Sequence, residues 1–149
     1  MDLTLRPVAL EDAAALTAAL EAELSLRYGG GEASTVDAAD FLPPYGLFLV
    51  ARVGQEDVAC GGLRTLAAGT GEIKRMYTAP AARGQGVART LLRALLDHAR
   101  SADLQEVRLD TGTLQPEAIG LYESEGFGRI EPYGLFKDEP LARCYALSL

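Results

Sequence analysis

Residues 83–88 run Arg83-Gly84-Gln85-Gly86-Val87-Ala88, a stretch suited to holding an anion. They lie between a predicted strand and a predicted amphipathic helix. The first N–H groups of a helix have no partner within it and carry partial positive charge. Glycine lets backbone approach a ligand closely, and Arg83 adds a fixed positive charge. Together these features suit a pyrophosphate. A glycine turn from strand to helix also occurs with nothing bound, so the loop alone leaves both readings open. No Gly-Lys-Ser or Gly-Lys-Thr follows, as a Walker A loop requires. The glycine pattern of a dinucleotide fold, placed directly after the first strand, is also absent.

Nucleophilic chemistry finds little support. His98 is the one histidine. Its helix-wheel neighbours Ala94, Asp97 and Ser101 predict a solvent-facing ring, and no Ser or Cys is placed to partner it. Cys60 and Cys144 lie neither in a glycine turn nor at a helix start that would lower a thiol pKa. Two cysteines are too few for a four-ligand zinc site, and no metal is expected. Buried free thiols in a reducing cytoplasm are the expectation for both.

The elements that must position the loop follow from apolar spacing. Leu3, Leu5 and Val8 predict a short first strand. Residues 10–26 repeat apolar side chains at helical intervals, with Glu11 and Asp12 in the first turn. Tyr28 and Gly29-Gly30-Gly31 end that helix, and Arg27 lies in its last turn. Ser34, Thr35 and Asp37 predict the cap of a short helix before Pro43-Pro44. Residues 47–53 and 58–66 predict a hairpin. Gly61-Gly62 inside it marks a bulge or a close backbone approach. Residues 72–78 predict a third strand of this group, stopped by Pro80. Residues 86–99 carry one stripe of Val87, Leu91, Leu92, Leu95, Leu96 and Ala99, a strong amphipathic helix. A strand at 106–111, a helix at 115–125 opened by Pro116 and a closing strand at 141–149 complete the chain. This order predicts one α+β or mixed α/β domain.

The 149 residues are 48% hydrophobic and 23% charged, ordinary for one globular domain. Acids outnumber bases, 21 to 14, for a net charge of −7, which disfavours nucleic acid as a partner. No apolar run is long enough for a bilayer, and residues 1–10 do not resemble a secretory signal.

Arg83, Gly86 and Ala88 form Arg-x-x-Gly-x-Ala, which resembles the acetyl-CoA signature of the GNAT superfamily of N-acetyltransferases. "EIKRMYTAP" before it resembles that family's fourth strand, and the helix from Gly86 its third helix. "QPEAIGLYESEGF" resembles its Asn-x-x-Ala-x-x-Leu-Tyr-x-x-x-Gly-Phe segment. The four features occur in the family's order, densely over residues 72–127 and loosely before 47. The resemblance implies a mixed, mostly antiparallel sheet of about seven strands with about four helices. A splayed strand pair would hold acetyl-CoA.

The resemblance also assigns roles. Met76, Tyr77 and Thr78 would pair their backbone with the pantetheine arm, an N–H near Met76 would meet the thioester carbonyl, and residues 83–88 (Arg83, Gly84, Gln85, Gly86, Val87, Ala88) would cradle the pyrophosphate. Gln115 stands where the family usually has Asn, which lengthens the amide's stem. Thr78 replaces the usual branched apolar residue. Tyr122 takes the place of a tyrosine that protonates the leaving thiolate, the alternative being a packed ring. Glu72 matches a glutamate base of some members, the alternative being a strand-end surface acid. Acceptor contacts would come from Arg27, Tyr28 and Tyr133, and from one of Lys74 and Arg75. The implied reaction is direct acetyl transfer to a small-molecule amine, or else to a protein N-terminus or lysine. A non-catalytic acyl-CoA sensor on the same fold and a nucleotide-binding regulatory domain are the competing classes. The closing strand is expected at a sheet edge, where a homodimer would form.

Overall fold

A computed structural model describes residues 1–30 and 35–149. Gly31 and Ser34, invoked above for a helix end and a cap, lie outside the described residues. The strands are β1 (Leu3–Pro7), β2 (Leu47–Val53), β3 (Glu56–Ala67), β4 (Thr70–Thr78), β5 (Glu106–Gly112), β6 (Gly128–Ile130) and β7 (Ala142–Ser148). The α-helices among the described residues are α1 (Ala14–Tyr28), α2 (Val87–Ser101) and α3 (Pro116–Ser124). The expected fourth helix is a 3-10 turn, Ala38–Phe41. The Asp37 side chain caps it by accepting from the Ala39 N–H at 3.0 Å. Four residues before a Pro-Pro pair leave no room for a full α-helix, because the residue before proline avoids the helical region.

The seven strands form one sheet in the order β1-β2-β3-β4-β5-β7-β6. β1 to β4 are antiparallel neighbours, whereas β4 and β5 run parallel. β7 inserts between β5 and β6. The closing strand is therefore not an outer strand, contrary to the sequence expectation. β6 covers it from Cys144 to Ala146.

α2 packs its stripe on one face of the sheet. Leu91, Leu92 and Leu95 are fully buried against Leu63, Ile73, Val107 and Leu109. The opposite face carries Phe41, Phe48, Val50 and Cys60, with Ala13 from the turn before α1. Gly61 and Gly62 make both packings tight. A Cβ on Gly61 would stand 2.3 Å from Met76 Sδ, and one on Gly62 would stand 2.6 Å from the Phe48 ring. Here glycine serves close approach.

His98 departs from expectation. It is half-buried, and its Nε2 is buried with no hydrogen-bond partner among the described residues. Cys60 and Cys144 are free and buried. Burial pushes the Cys60 thiol up to about 12 and raises that of Cys144. Among the described residues, no helix is long and apolar enough to cross a membrane.

Candidate active site

The site begins with a fault in β4. Cys60 pairs with Tyr77, but two residues on, Gly62 pairs with Lys74. β4 thus carries one extra residue, a β-bulge. Arg75 occupies it with φ 61°, a left-handed conformation that few non-glycine residues adopt. The bulge breaks the strand's alternation. Ile73 faces the α2 side, yet Lys74 and Arg75 both turn toward α1. Arg75 lies 3.8 Å from Glu21 of α1, and Lys74 lies 3.3 Å from Asp110. Met76 then returns to the α2 side, beside Leu91 and Gly61. Both cationic residues line the cleft, where the sequence left the choice between them open.

The second cause of the cleft is a short pairing. β4 and β5 share only the pairs Thr70–Glu106, Gly71–Val107 and Glu72–Arg108. Beyond Glu72 they splay, so the β4 edge facing β5 has no ladder partner among the described residues. The opening holds a cleft of about 630 Å³, lined in part by Met76, Asp110, Gly112, Gln115 and Tyr122.

Tyr122 reaches this cleft from α3. It is 6% exposed and packs edge-on to Phe127 with ring centroids 5.8 Å apart. Burial, and then the Asp110 charge, push its phenol far above the usual tyrosine value. It therefore keeps its proton throughout the neutral range. Tyr28 also lines the cleft. It packs so closely that a Cβ on Gly112 would lie 2.0 Å from its hydroxyl. That hydroxyl donates to Gln115 Oε1 at 3.1 Å, which fixes the amide at the start of α3.

At the other end stands the glycine loop. Gly84 and Gly86 have φ 76° and 81°, and a Cβ on either would meet nothing within 4 Å. The loop is open on its outer side, directly before the first turn of α2. Arg83 is anchored rather than free. Its Nε donates to the Thr78 carbonyl at 2.9 Å, its Nη2 pairs with Glu23 at 2.6 Å, and it lies over the Tyr77 ring. Val87 is a core residue, so only its backbone is available to a ligand. Tyr77 packs in the α1-side core, and Thr78 pairs with Ala59.

The profile of the acetyltransferase (GNAT) family matches residues 15–127. The chain belongs to this family. The IAA acetyltransferase of Azospirillum brasilense is 41% identical over 96 residues, which cover 64% of this chain and 63% of that protein. The match thus spans just under two thirds of that curated relative. A solved structure from Klebsiella pneumoniae, described as an acyl-CoA N-acyltransferase, is 32% identical. It superposes with a TM-score of 0.82, covering 99% of this chain and 97% of that one. The PaiA N-acetyltransferase of Thermoplasma acidophilum, solved with coenzyme A, is 17% identical, with a TM-score of 0.76 and all of both chains covered. This last likeness is one of fold.

GNAT enzymes use acetyl-CoA, and the residues present fit it. The open glycines before α2 leave room for a diphosphate against helix N–H groups. The free edge of β4 leaves backbone donors and acceptors for an extended arm.

Around the cleft, two residues expected at the acceptor, Arg27 and Tyr133, and the expected base, Glu72, are placed differently from the sequence expectation. Arg27 does not line the cleft. It pairs with Glu117 at 2.5 Å and donates to the Leu114 carbonyl at 2.7 Å, tying α1 to the start of α3. Tyr133 does not line the cleft either. Its hydroxyl donates to Glu72 Oε2 at 2.7 Å, and its ring lies beneath the Arg108 guanidinium. Burial and that bond raise its phenol. Glu72 is not a surface acid, being 2% exposed. Arg64 holds its Oε1 at 2.9 and 3.0 Å, Lys74 lies 3.8 Å away, and Tyr133 takes the other oxygen. Both oxygens are engaged, and Glu72 is absent from the cleft wall.

Asp110, which the sequence did not single out, also lines the cleft. The signal for it was the parallel register. Lys74 and Asp110 lie two residues beyond the last pair, Glu72–Arg108, where the Lys74 side chain reaches Asp110 across the opening gap at 3.3 Å.

Proposed function

We propose that residues 1–149 act as one N-acetyltransferase domain. It moves an acetyl group from acetyl-CoA to a primary amine of a small-molecule or amino-acid-like acceptor, directly in a ternary complex. The observation that carries this reading is a splayed β4–β5 cleft with Tyr122 in its wall and an open glycine loop before α2. Bound there, acetyl-CoA supplies a thioester carbonyl for the amine to attack. Backbone N–H groups of residues 84–88 would hold its diphosphate, with Arg83 stiffening the loop from below. Backbone of Met76, Tyr77 and Thr78 would align the arm, helped by the Gln115 amide. The N–H near Met76 would stabilise charge on the carbonyl oxygen. Tyr122 would give its phenolic proton to the departing sulfur. Glu72, held by Arg64 and Tyr133, would act on the acceptor's proton only through intervening groups. The buried thiols with raised pKa values argue against a cysteine acyl-enzyme, which favours direct transfer.

Free-thiol release from acetyl-CoA with a panel of amines and amino acids tests the reading. Amine-dependent release is the expected result. Tight acetyl-CoA binding with no release for any amine would instead support a sensor.

The reading includes a homodimer, joined through the outer strands β1 or β6 rather than β7. Sedimentation at high micromolar concentration should show twice the 15.8 kDa chain mass. A single species at the chain mass would exclude the dimer.

A further inference from the structure

From the acceptor side of the cleft we infer that Asp110 binds the ammonium group of the acceptor, and that the acceptor carries this group on an apolar body. The inference rests on the acetyltransferase reading and gives the unassigned acceptor pocket a chemical class.

Among the described residues, three acids line the cleft: Glu21, Asp110 and Glu139. Glu139 is exposed, and the Glu21 side chain is 55% exposed, beside Arg75. Asp110 is different. Its side chain is 16% exposed, and among the described residues only Lys74 bonds it, at Oδ1. A carboxylate this shielded interacts far more strongly with a cation than an exposed one does. Asp110 lines the same cleft as Tyr122, the proposed proton donor. Glu72 cannot take the role, since both its oxygens are engaged and it does not reach the cleft. Lys74 lies between the two carboxylates, 3.3 Å from Asp110 and 3.8 Å from Glu72. It holds Asp110 in place while one carboxylate oxygen remains for a second cation.

The apolar body follows from the cleft's other wall. Leu24, Leu135, Phe136 and Leu141 line it, and Leu135 and Leu141 remain 53% and 44% exposed. Exposed apolar side chains gathered at a cleft mark a surface that a ligand covers.

Phenethylamine and its uncharged counterpart 2-phenylethanol are the probes, titrated by calorimetry into the full chain saturated with coenzyme A. Phenethylamine should bind at least about tenfold more tightly than the alcohol, as expected for a charge meeting a shielded partner. Asp110→Asn should abolish that preference and leave coenzyme A affinity unchanged. The double variant Lys74→Met/Asp110→Asn leaves neither charge unpaired, so it retains the fold, and it should lose the preference equally. Lys74→Met alone should keep the preference or strengthen it, because Asp110 then loses its competing cation. A parent protein that does not prefer the amine overturns the inference. So does an Asp110→Asn variant that keeps the preference. A Lys74→Met variant that loses as much as Asp110→Asn would also overturn it, by showing a structural ion pair. Thiol release separates the two readings. Release by an amine that is indifferent to Asp110 defeats this inference alone, and Asp110-dependent binding without release for any amine defeats only the acetyl transfer.

Discussion

Tyr122→Phe should slow acetyl transfer by about 10²-fold, the lower end of the span for general acid catalysis. The structure explains why the lower end is expected. Burial and Asp110 raise the phenol, so the hydroxyl is protonated at every working pH but is a weaker acid than free tyrosine. Its contribution then lies mainly in the hydrogen bond it gives to developing negative charge, about 1.5–3 kcal/mol for a bond to a charged group. A raised phenol value also means that no activity should be lost to Tyr122 ionisation on the alkaline side up to about pH 10, the unshifted value. Acetyl-CoA affinity should change little, because the bond strengthens only as charge develops. Melting temperature should hold too, since phenylalanine keeps the ring on Phe127. Stopped-flow acetyl transfer beside a thermal melt checks all of this. A destabilised variant with full turnover would make Tyr122 a packing residue, and solvent would then protonate the thiolate.

How far such roles were legible in the sequence depended on whether local pattern determined them. The α2 stripe is periodic within one helix, so both the helix and the loop before it could be read directly. The turn glycines of that loop, Gly84 and Gly86, do adopt positive φ. β6, only three residues long, falls below any alternation signal. The insertion of β7 between β5 and β6 is a non-local choice that no window of sequence contains. The bulge at Arg75 is harder still, because a residue other than glycine takes the left-handed conformation. Without it, Lys74 and Arg75 would face opposite sides. Charged partners were the least legible. Arg27 resembles a helix-end cation until Glu117 of α3 arrives beside it, and Glu72 resembles a surface acid until Arg64 and Tyr133 close over it. Their roles depend on residues 8 to 90 positions away. Asp110 was missed for the same reason, since it becomes conspicuous only when β4 and β5 are set in parallel register.

Gly86→Asp should weaken acetyl-CoA binding by at least about 100-fold, the scale set when an anion loses a charge-assisted helix site and gains a like charge. Gly86 immediately precedes α2 with φ 81° and ψ 8°. Aspartate and asparagine tolerate that conformation better than other side chains do, and a Cβ there meets nothing within 4 Å. The fold therefore has space for the side chain, and the cost is backbone strain alone. An aspartate before a helix also interacts favourably with the macrodipole. The variant places a like charge where a diphosphate would lie, so affinity should collapse, while stability falls only by the strain of one left-handed side chain, about 1–2 kcal/mol. Arg83 cannot compensate, because Glu23 already pairs with it. Gly86→Asn separates charge from bulk. It has nearly the same shape and backbone tolerance, so it should cost about tenfold less affinity than the aspartate at low salt. That gap should narrow as salt rises, since the Debye length falls to about 3 Å at 1 M. Calorimetry across a salt series reads both effects. An aspartate variant that binds acetyl-CoA as tightly as the parent would move the diphosphate away from this loop altogether.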